Sequence, residues 1–540
     1  MKRPGMVGLV ALLAVLGCKK GEDGAEAPSQ RSAAKDDTVR SAAKGKAVVG
    51  GQGQQLAAGR AADLRLSPDG QFATYLLNGQ KPRLDGIPPQ MLVGSLYVVP
   101  VAGGKPRELG DGVTNVPGSL LFSSDSRHLL YVTGYNPASQ SGELHALALT
   151  DAAAEPVKLG SAVSYLLPSP DGANVAFVDG GVLKLGKLPE GPFQDVAAEV
   201  STAQFTPDGK TLLFKRRLSA AGGLAAVTVG VNEPPRKLAD QVGDYEVSSD
   251  GKRVAYQVRS EAVRGMYDLF LAEVPALKGQ RLAVGTKVFG FSPDGQWLAR
   301  TENGKPELLG DLYVGPASGG PGRKVGEQVE EMAFAPDSKA VGFLEKYDQP
   351  SRAGAMTVAS LPDGAPKRVG TRVPNFVWGS DSRYVAFLSR FVKPVFSVDL
   401  MLYALGQEKA EKVQPGVFGY GFAPNNSAVV FRTNCIRNGR ACDFKALDLE
   451  QRQAEAKTWL QGIFSYKISN DGARVLATYA RMDSDTYDVA VYDVKTGARK
   501  TLDQGVQVPT YFAGKDDARA VYIIGQGQNP GVYTAVASPQ

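Results

Sequence analysis

The chain carries few of the side chains that proteins use for nucleophilic or metal chemistry. It has three cysteines, Cys18, Cys435 and Cys442, and two histidines, His128 and His145. Both histidines fall inside alternating strand patterns, so we interpret them as strand residues and not as a ligand pair. Two distal cysteines without a nearby histidine are too few for a structural zinc site. The sequence therefore predicts no metal site, no cofactor and no catalytic residue.

Cys435 and Cys442 flank the dipeptide Asn438-Gly439, a strong hairpin-turn signal. In an oxidising compartment, two thiols placed on the arms of one hairpin are expected to form a disulfide. Two reduced thiols are the alternative.

Cys18 has a different context. A basic start, Met1-Lys2-Arg3, precedes an apolar stretch from Met6 to Leu16 that is too short to span a bilayer as a mature helix. This segment resembles a bacterial lipoprotein signal peptide, with Val15-Leu16-Gly17-Cys18 in the place of the lipobox. The resemblance implies removal of residues 1–17 and lipid attachment to Cys18. An ordinary secretory peptide cleaved nearby is the alternative.

The residues after the proposed lipid site are polar, with almost no large apolar side chain. We predict that residues 18–51 are a disordered tether, because such a composition cannot bury enough surface to fold.

A repeated hairpin unit fills the rest of the chain. Its clearest copies read LRLSPDGQFATYLL from Leu64, AQFTPDGKTLLFKRR from Ala203 and FGFSPDGQWLARTEN from Phe289. Two alternating runs around Pro-Asp-Gly are typical of a β-hairpin. The turn residue of the unit recurs at Asp69, Asp125, Asp171, Asp208, Asp250, Asp294, Asp337, Asp381, Asn425, Asp471 and Asp516.

The period of this repeat, near 44 residues, predicts an all-β protein of four-stranded propeller blades, with strands A to D in each blade. Eleven blades exceed the usual number in one propeller, so we expect two fused propellers, five plus six blades, with one large ring as the alternative. The last repeat lacks a strand D, and residues 54–59 resemble one. We therefore predict that this N-terminal segment completes the last blade.

The unit F-x-x-S-P-D-G, followed by Asp-Leu and two apolar residues, resembles the TolB-type, WD-repeat-like β-propeller over residues 52–540. The resemblance implies a binding scaffold of the cell envelope and a partnership with envelope-associated proteins, including peptidoglycan-associated lipoproteins. TolB carries a separate N-terminal α/β domain, where this chain has only the tether. A role in a Tol–Pal system therefore stays open.

Charge is unevenly distributed over the predicted blades. The whole chain has a net charge of +6 and no long basic run, so we do not expect nucleic-acid binding. The predicted B–C hairpins alone hold 16 Lys/Arg and nine Asp/Glu, a net charge of +7. We counted residues 78–94, 134–142, 179–181, 215–223, 259–266, 302–310, 345–354, 389–397, 432–442, 480–486 and 525–530.

Seven of these cations form our predicted binding residues: Lys215, Arg216, Arg217, Arg390, Lys393, Arg437 and Arg440. A basic face favours an acidic partner and accelerates encounter with it. The alternative is that exposed hairpin tips simply collect Lys and Arg.

Together these patterns predict a non-enzymatic propeller that is lipid-anchored in the bacterial envelope. We expect the anchor in the outer membrane and the propeller on its periplasmic side. Its expected partner is an envelope protein or an anionic envelope polymer. The alternative is a propeller enzyme of the lyase or glycosidase type, with its site in the central funnel. That function needs acidic groups on the D–A loops, where Glu330-Glu331 is the one acidic pair. The sequence does not predict the oligomeric state.

Overall fold

The computed structural model describes residues 53–82, 90–217, 223–274, 276–389, 398–436, 439–481, 485–525 and 527–539. The predicted signal peptide, Cys18 and the whole predicted tether lie outside these residues. Apart from one 3-10 turn at Lys515–Asp517, the regular elements of the described part of the chain are β-strands, β1 to β42. The all-β prediction is confirmed.

These strands pair antiparallel into sheets with the order A–B–C–D, repeated along the chain. We number the resulting blades 1 to 11. Blade 1 consists of β2 (Ala61–Leu66), β3 (Phe72–Gln80), β4 (Val93–Pro100) and β5 (Arg107–Thr114). Blades 2 and 3 consist of β6 (Leu120–Phe122), β7 (His128–Asn136), β8 (Ser141–Ala148), β9 (Val157–Pro168), β10 (Asn174–Asp179), β11 (Val182–Lys187) and β12 (Phe193–Ala198).

The next four blades are separate four-stranded sheets. Blade 4 consists of β13 (Val200–Phe205), β14 (Thr211–Arg216), β15 (Gly223–Thr228) and β16 (Arg236–Asp240). Blade 5 consists of β17 (Val242–Val247), β18 (Arg253–Arg259), β19 (Tyr267–Glu273) and β20 (Gln280–Ala283). Blade 6 consists of β21 (Phe289–Phe291), β22 (Trp297–Glu302), β23 (Asp311–Pro316) and β24 (Arg323–Gly326). Blade 7 consists of β25 (Glu331–Phe334), β26 (Ala340–Asp348), β27 (Ala353–Ser360) and β28 (Lys367–Val373).

The last blades follow the same order. Blade 8 consists of β29 (Phe376–Trp378), β30 (Tyr384–Ser389), β31 (Asp399–Ala404) and β32 (Glu411–Gln414). Blade 9 consists of β33 (Val417–Phe422), β34 (Ala428–Ile436), β35 (Ala441–Asp448) and β36 (Lys457–Ile463). Blades 10 and 11 consist of β37 (Ser465–Ile468), β38 (Arg474–Ala480), β39 (Tyr487–Asp493), β40 (Arg499–Ala513), β41 (Arg519–Ile524), β42 (Gly531–Val536) and β1 (Gln54–Ala58).

Two long strands serve two blades each. The first part of β9 is strand D of blade 2, and its second part is strand A of blade 3. In the same way β40 joins blade 10 to blade 11. This sharing explains why nine hydrogen-bonded sheets make up eleven blades.

The N-terminal strand completes the last blade, as predicted. β1 pairs antiparallel with β42, with Gln54 opposite Thr534 and Ala58 opposite Gly531. Leu56 is buried in a cluster that contains residues of both blade 11 and blade 1. The pairing covers the free edge of β42, which would otherwise be open to other chains.

The structure corrects the expected division into two propellers. Every pair of consecutive blades shares a buried apolar cluster, including blades 5 and 6, which meet through Leu269, Phe291 and Leu298. Blade 11 packs on blade 1 in the same way. Two separate rings require blade 5 to close on blade 1 and blade 6 on blade 11. The described residues therefore form one closed ring of eleven blades.

The A–B turns connect neighbouring blades as well as strands. In the first turn, the Ser67 hydroxyl donates to the Asp69 carboxylate at 2.6 Å, and that carboxylate accepts the Gln71 amide at 3.0 Å. The Asp69 amide donates to the Ser126 hydroxyl of the next turn at 3.1 Å. At the seam of the ring, the Gly514 amide donates to the Gly70 carbonyl at 2.9 Å.

Candidate binding surface

The described parts of the B–C hairpins lie at one end of the ring, because every blade has the same strand order and direction. We call this end the hairpin face. The A–B turns lie at the opposite end, which we call the turn face. The structure describes four of the predicted binding residues, Lys215, Arg216, Arg217 and Arg440, which lie on the hairpin face in three groups.

Lys215 is the first group, and its partly buried ammonium makes a contact within the protein. It donates a hydrogen bond to the carbonyl of Gly243, on strand A of the next blade. Lys215 therefore joins blade 4 to blade 5 and does not offer its charge to a partner. A count of charges in the sequence does not detect such a contact.

Arg216 and Arg217 form the second group. Both side chains are exposed at the start of the blade 4 hairpin, and neither makes an ion pair within the described part of the chain. The Arg217 backbone amide donates to the Glu199 carbonyl at 2.7 Å, which fixes the chain direction at this point. Their guanidinium groups remain available for contact from outside.

The adjacent hairpin of blade 5 extends this surface with two arginines that are not among the seven predicted binding residues. Arg259 and Arg264 are exposed and likewise unpaired among the described residues. Arg259 lies opposite Tyr267 in the β18–β19 pair, and Tyr267 is 39% exposed. We call Arg216, Arg217, Arg259 and Arg264 the basic patch.

The basic patch has acidic neighbours in sequence. Three carboxylates are exposed nearby: Glu199 between blades 3 and 4, Asp244 on strand A of blade 5 and Glu261 in the blade 5 hairpin. The four arginines outnumber these three carboxylates, so the local charge stays positive. An aromatic ring beside guanidinium groups gives this part of the face the composition of a recognition site, because Tyr and Arg are enriched at protein interfaces.

Arg440, in the hairpin of blade 9, is the third group. Arg440 forms an ion pair with Asp485 of the next blade, 3.2 Å away. This carboxylate partly neutralises the charge that Arg440 could offer to a partner. Arg390, Lys393 and Arg437 lie outside the described residues. Nearby, Arg432 donates to the Phe464 carbonyl at 3.2 Å and so joins blade 9 to blade 10.

The hairpin that carries Arg440 is cross-linked in the structure. Cys435 and Cys442 form a disulfide whose Cα atoms are 4.1 Å apart. The bond spans β34 and β35 just below the hairpin tip, where Ile436 is 58% exposed. The pairing lies where the Asn438-Gly439 signal predicts a hairpin.

The strands that line the centre of the ring carry the acidic groups relevant to the enzyme hypothesis. Glu330 makes an ion pair with Lys287, 2.7 Å away, and is therefore part of a structural contact. Glu246, on strand A of blade 5, accepts the Phe291 amide at 3.2 Å. Burial raises the pKa of Glu246 to about 7, against the effect of that hydrogen bond. Sequence patterns gave no signal for Glu246, because its burial follows from its place at the ring centre.

The remaining predicted features are structural in the described residues. The ring of His145 stacks on Tyr131 with centroids 5.4 Å apart, and His128 lies opposite Ala148 rather than beside His145. Residues 53–539, outside the gaps given above, contain no group of three or more His, Cys, Asp or Glu side chains placed to hold a metal ion. In the same residues no helix is long and apolar enough to cross a bilayer.

Comparison with known proteins gives resemblance in structure only. No protein-family model matches the sequence, and no curated protein matches it either. A eukaryotic initiation factor has a similar structure at 12% identity and a TM-score of 0.43, over 68% of this chain and 93% of that protein. The tricorn protease aligns at 12% identity and a TM-score of 0.30, over 88% of this chain and 57% of its own. A protein of Agrobacterium tumefaciens described as a TolB aligns at 16% identity and a TM-score of 0.26, over 42% and 85%.

Proposed function

We propose that this protein is a lipid-anchored scaffold of the bacterial cell envelope that binds an acidic partner through its hairpin face and catalyses no reaction. The basic patch carries the proposal. Four exposed guanidinium groups on adjacent hairpins, unpaired within the described chain and next to an exposed tyrosine, favour contact with carboxylate or phosphate groups. The partner is an envelope protein or an anionic envelope polymer.

Charge reversal of the basic patch tests this proposal. We expect a variant with Arg216→Glu, Arg217→Glu, Arg259→Glu and Arg264→Glu to bind the partner more slowly. Its association rate constant should be lower than that of the unchanged protein by a factor of roughly ten or more. The matched control reverses Arg127, Lys210, Lys252 and Lys339, each two residues after a turn residue on the turn face. The control should bind like the unchanged protein.

The measurement starts from solubilised envelopes passed over the immobilised chain. Digestion of one half of the extract with a protease separates a protein partner from a polymer, because only polymer binding survives digestion. Surface plasmon resonance at low and high salt then compares the variants. Loss of binding in the turn-face control with full binding by the patch variant would contradict the proposed surface.

The envelope location rests on the signal-like residues before Cys18 and is tested separately. Cys18→Ser should move the protein from the membrane fraction to the soluble fraction, because one thiol is the proposed point of lipid attachment. Mass spectrometry of the unchanged protein should show a lipid-modified N-terminal cysteine. A membrane-bound variant together with an unmodified Cys18 in the unchanged protein would rule out the anchor.

A further inference from the structure

Blade 6 places a charged residue at a position that is aromatic in most of the other blades. The residue six positions after the turn residue lies on strand B and points into the interface between blades. In nine blades it is a buried aromatic residue: Tyr75, Tyr131, Phe177, Phe214, Tyr256, Phe343, Phe387, Phe431 and Tyr522. Blade 10 has the small residue Ala477 there, and blade 6 has Arg300. A cation therefore occupies a position that the fold otherwise fills with an aromatic ring.

Arg300 is buried and incompletely paired. The residue is only 2% exposed. Its Nε donates to the Glu302 carboxylate at 3.0 Å, and its Nη2 donates to the Gly320 carbonyl at 3.2 Å. Its Nη1 is buried and has no hydrogen-bond partner among the described residues. A buried charged donor without an acceptor is costly, so this atom favours the arrival of an anionic oxygen.

A cavity of about 360 Å³ lies at this guanidinium group, between the outer strand of blade 5 and the face of blade 6. Arg300 lines it together with Tyr313, its cross-strand partner, and with Gln280 and Arg281 from β20. This volume is within the range of small-molecule sites. The cavity exists where the other blades place an aromatic ring.

The charges around the cavity favour an anion. Arg281 contributes a second guanidinium, 57% exposed at its side chain and 3.5 Å from Asp268. Glu302 is the one carboxylate in the lining, and it is held at the Nε side of Arg300. The other lining side chains, including Gln280, Leu282 and Tyr313, carry no negative charge, so no other carboxylate in the lining competes with an anion.

We propose that blades 5 and 6 bind a small organic acid in this cavity, with its carboxylate against the guanidinium of Arg300 and with Arg281 as a second contact. A guanidinium with one nitrogen still lacking an acceptor favours a carboxylate oxygen. Gln280 and Tyr313 provide an amide and an aromatic ring for the rest of the molecule. The proposal uses none of the basic-patch residues, so it stands or falls independently of the proposed function.

The test uses the full chain and four probes, acetate, succinate, citrate and inorganic phosphate, in thermal-shift and calorimetric titrations. At least one carboxylate should raise the melting temperature saturably, and phosphate should not. Arg300→Phe restores the residue type of the other blades and should abolish this shift. Arg300→Lys keeps the charge without the planar edge and should weaken binding about tenfold.

Arg323→Gln is the matched control, because Arg323 lies on β24 of the same blade and does not line the cavity. This variant should bind the carboxylate as the unchanged protein does. Arg281→Gln should weaken binding and leave the melting temperature without ligand unchanged. A shift with phosphate alone, a shift that persists in Arg300→Phe, or no shift with any carboxylate would overturn the proposal. If Arg300→Phe does not fold, Arg300→Lys and Arg281→Gln decide.

Discussion

The two faces of the ring hold their charges in different ways. On the turn face, cations lie close to the carboxylates of the turns. Arg383 is 2.6 Å from Asp381, and Lys252 is 4.0 Å from Asp250. On the hairpin face of blades 4 and 5, the four arginines of the basic patch have no ion-pair partner in the described chain. Arg383 and Lys252 on the turn face are therefore close to a carboxylate, whereas the four arginines of the basic patch are not paired with one among the described residues.

The difference follows from what each loop must do. A tight A–B turn needs a side-chain acceptor for its own backbone amides, so a carboxylate recurs there and attracts the neighbouring cation. A B–C hairpin varies in length from blade to blade and makes no such demand. The repeated carboxylates of the A–B turns therefore maintain the ring, whereas the variable B–C hairpins are free to bind a partner.

We expect the largest loss of stability when the ring is opened, because both faces depend on its closure. Deletion of residues 53–58 removes β1 and exposes the edge of β42. Loss of the buried Leu56 and of the β1–β42 ladder should destabilise the seam by at least about 3 kcal/mol. The variant should melt earlier and associate through its open edge. Size-exclusion chromatography with light scattering and thermal melting measure both, and an unchanged monodisperse protein would refute closure.

A smaller effect should distinguish the two faces directly. Ser248→Ala with Asp250→Ala removes the hydroxyl–carboxylate bond of 2.6 Å and the bond from the Lys252 amide to Asp250. We expect a loss of about 1–3 kcal/mol in the free energy of unfolding, because the backbone amides of Lys252 and Arg253 lose their side-chain acceptors. Arg259→Ala on the hairpin face should change the free energy of unfolding by less than about 0.5 kcal/mol. Denaturant melts compare them, and equal losses would remove the distinction between the faces.

The smallest effect is a dependence of stability on acid. Burial acts to raise the pKa of Asp250, but hydrogen bonds from the Ser248 hydroxyl and the Lys252 amide outweigh it and lower that pKa. The pKa values of Asp125, Asp208, Asp294 and Asp471 are lowered as well. An Asp carboxyl group in an unfolded chain has a pKa of about 3.9. The stabilisation is therefore complete above this pH and is lost as the pH falls through the lower pKa of the folded protein.

Melting temperatures across the acid range check this prediction. The unchanged protein should lose stability steadily below about pH 4, and Ser248→Ala should show a slightly shallower loss. Each turn contributes only a few tenths of a kcal/mol to the difference, so replicate scans are needed. A steeper acid loss in Ser248→Ala than in the unchanged protein would contradict the assigned role of the hydroxyl.

Much of the fold follows from local chemistry that the sequence displays. Pro-Asp-Gly turns, alternating strands and a fixed period predict the blades, and residues 54–59 predict the closing strand. The number of rings does not follow, because the period is the same in one ring of eleven and in two smaller rings. The number of rings is decided by the packing of Phe291 and Leu298 against blade 5 and by the packing of blade 11 on blade 1.

The candidate sites were less predictable, for reasons that differ between residues. Lys215 reads as a surface cation in sequence, and its contact with Gly243 depends on the approach of the next blade. Arg300 gives a signal that alignment of the eleven repeats on their turn residues reveals, since it breaks a column of aromatic residues. Glu246 gives no signal, because the desolvation of its carboxylate arises only at the centre of the assembled ring.

The pairing of β1 with β42 also constrains how the chain can be made. Gln54 is among the first residues of the ring to be synthesised, and its partner Thr534 is among the last. Earlier blades can form as they emerge, but the final blade has to wait for both ends of the chain. A chain cut short anywhere before β42 leaves an arc with two open edges instead of a smaller ring. The seam therefore acts as a check on completeness, because only a finished chain can hide its first strand.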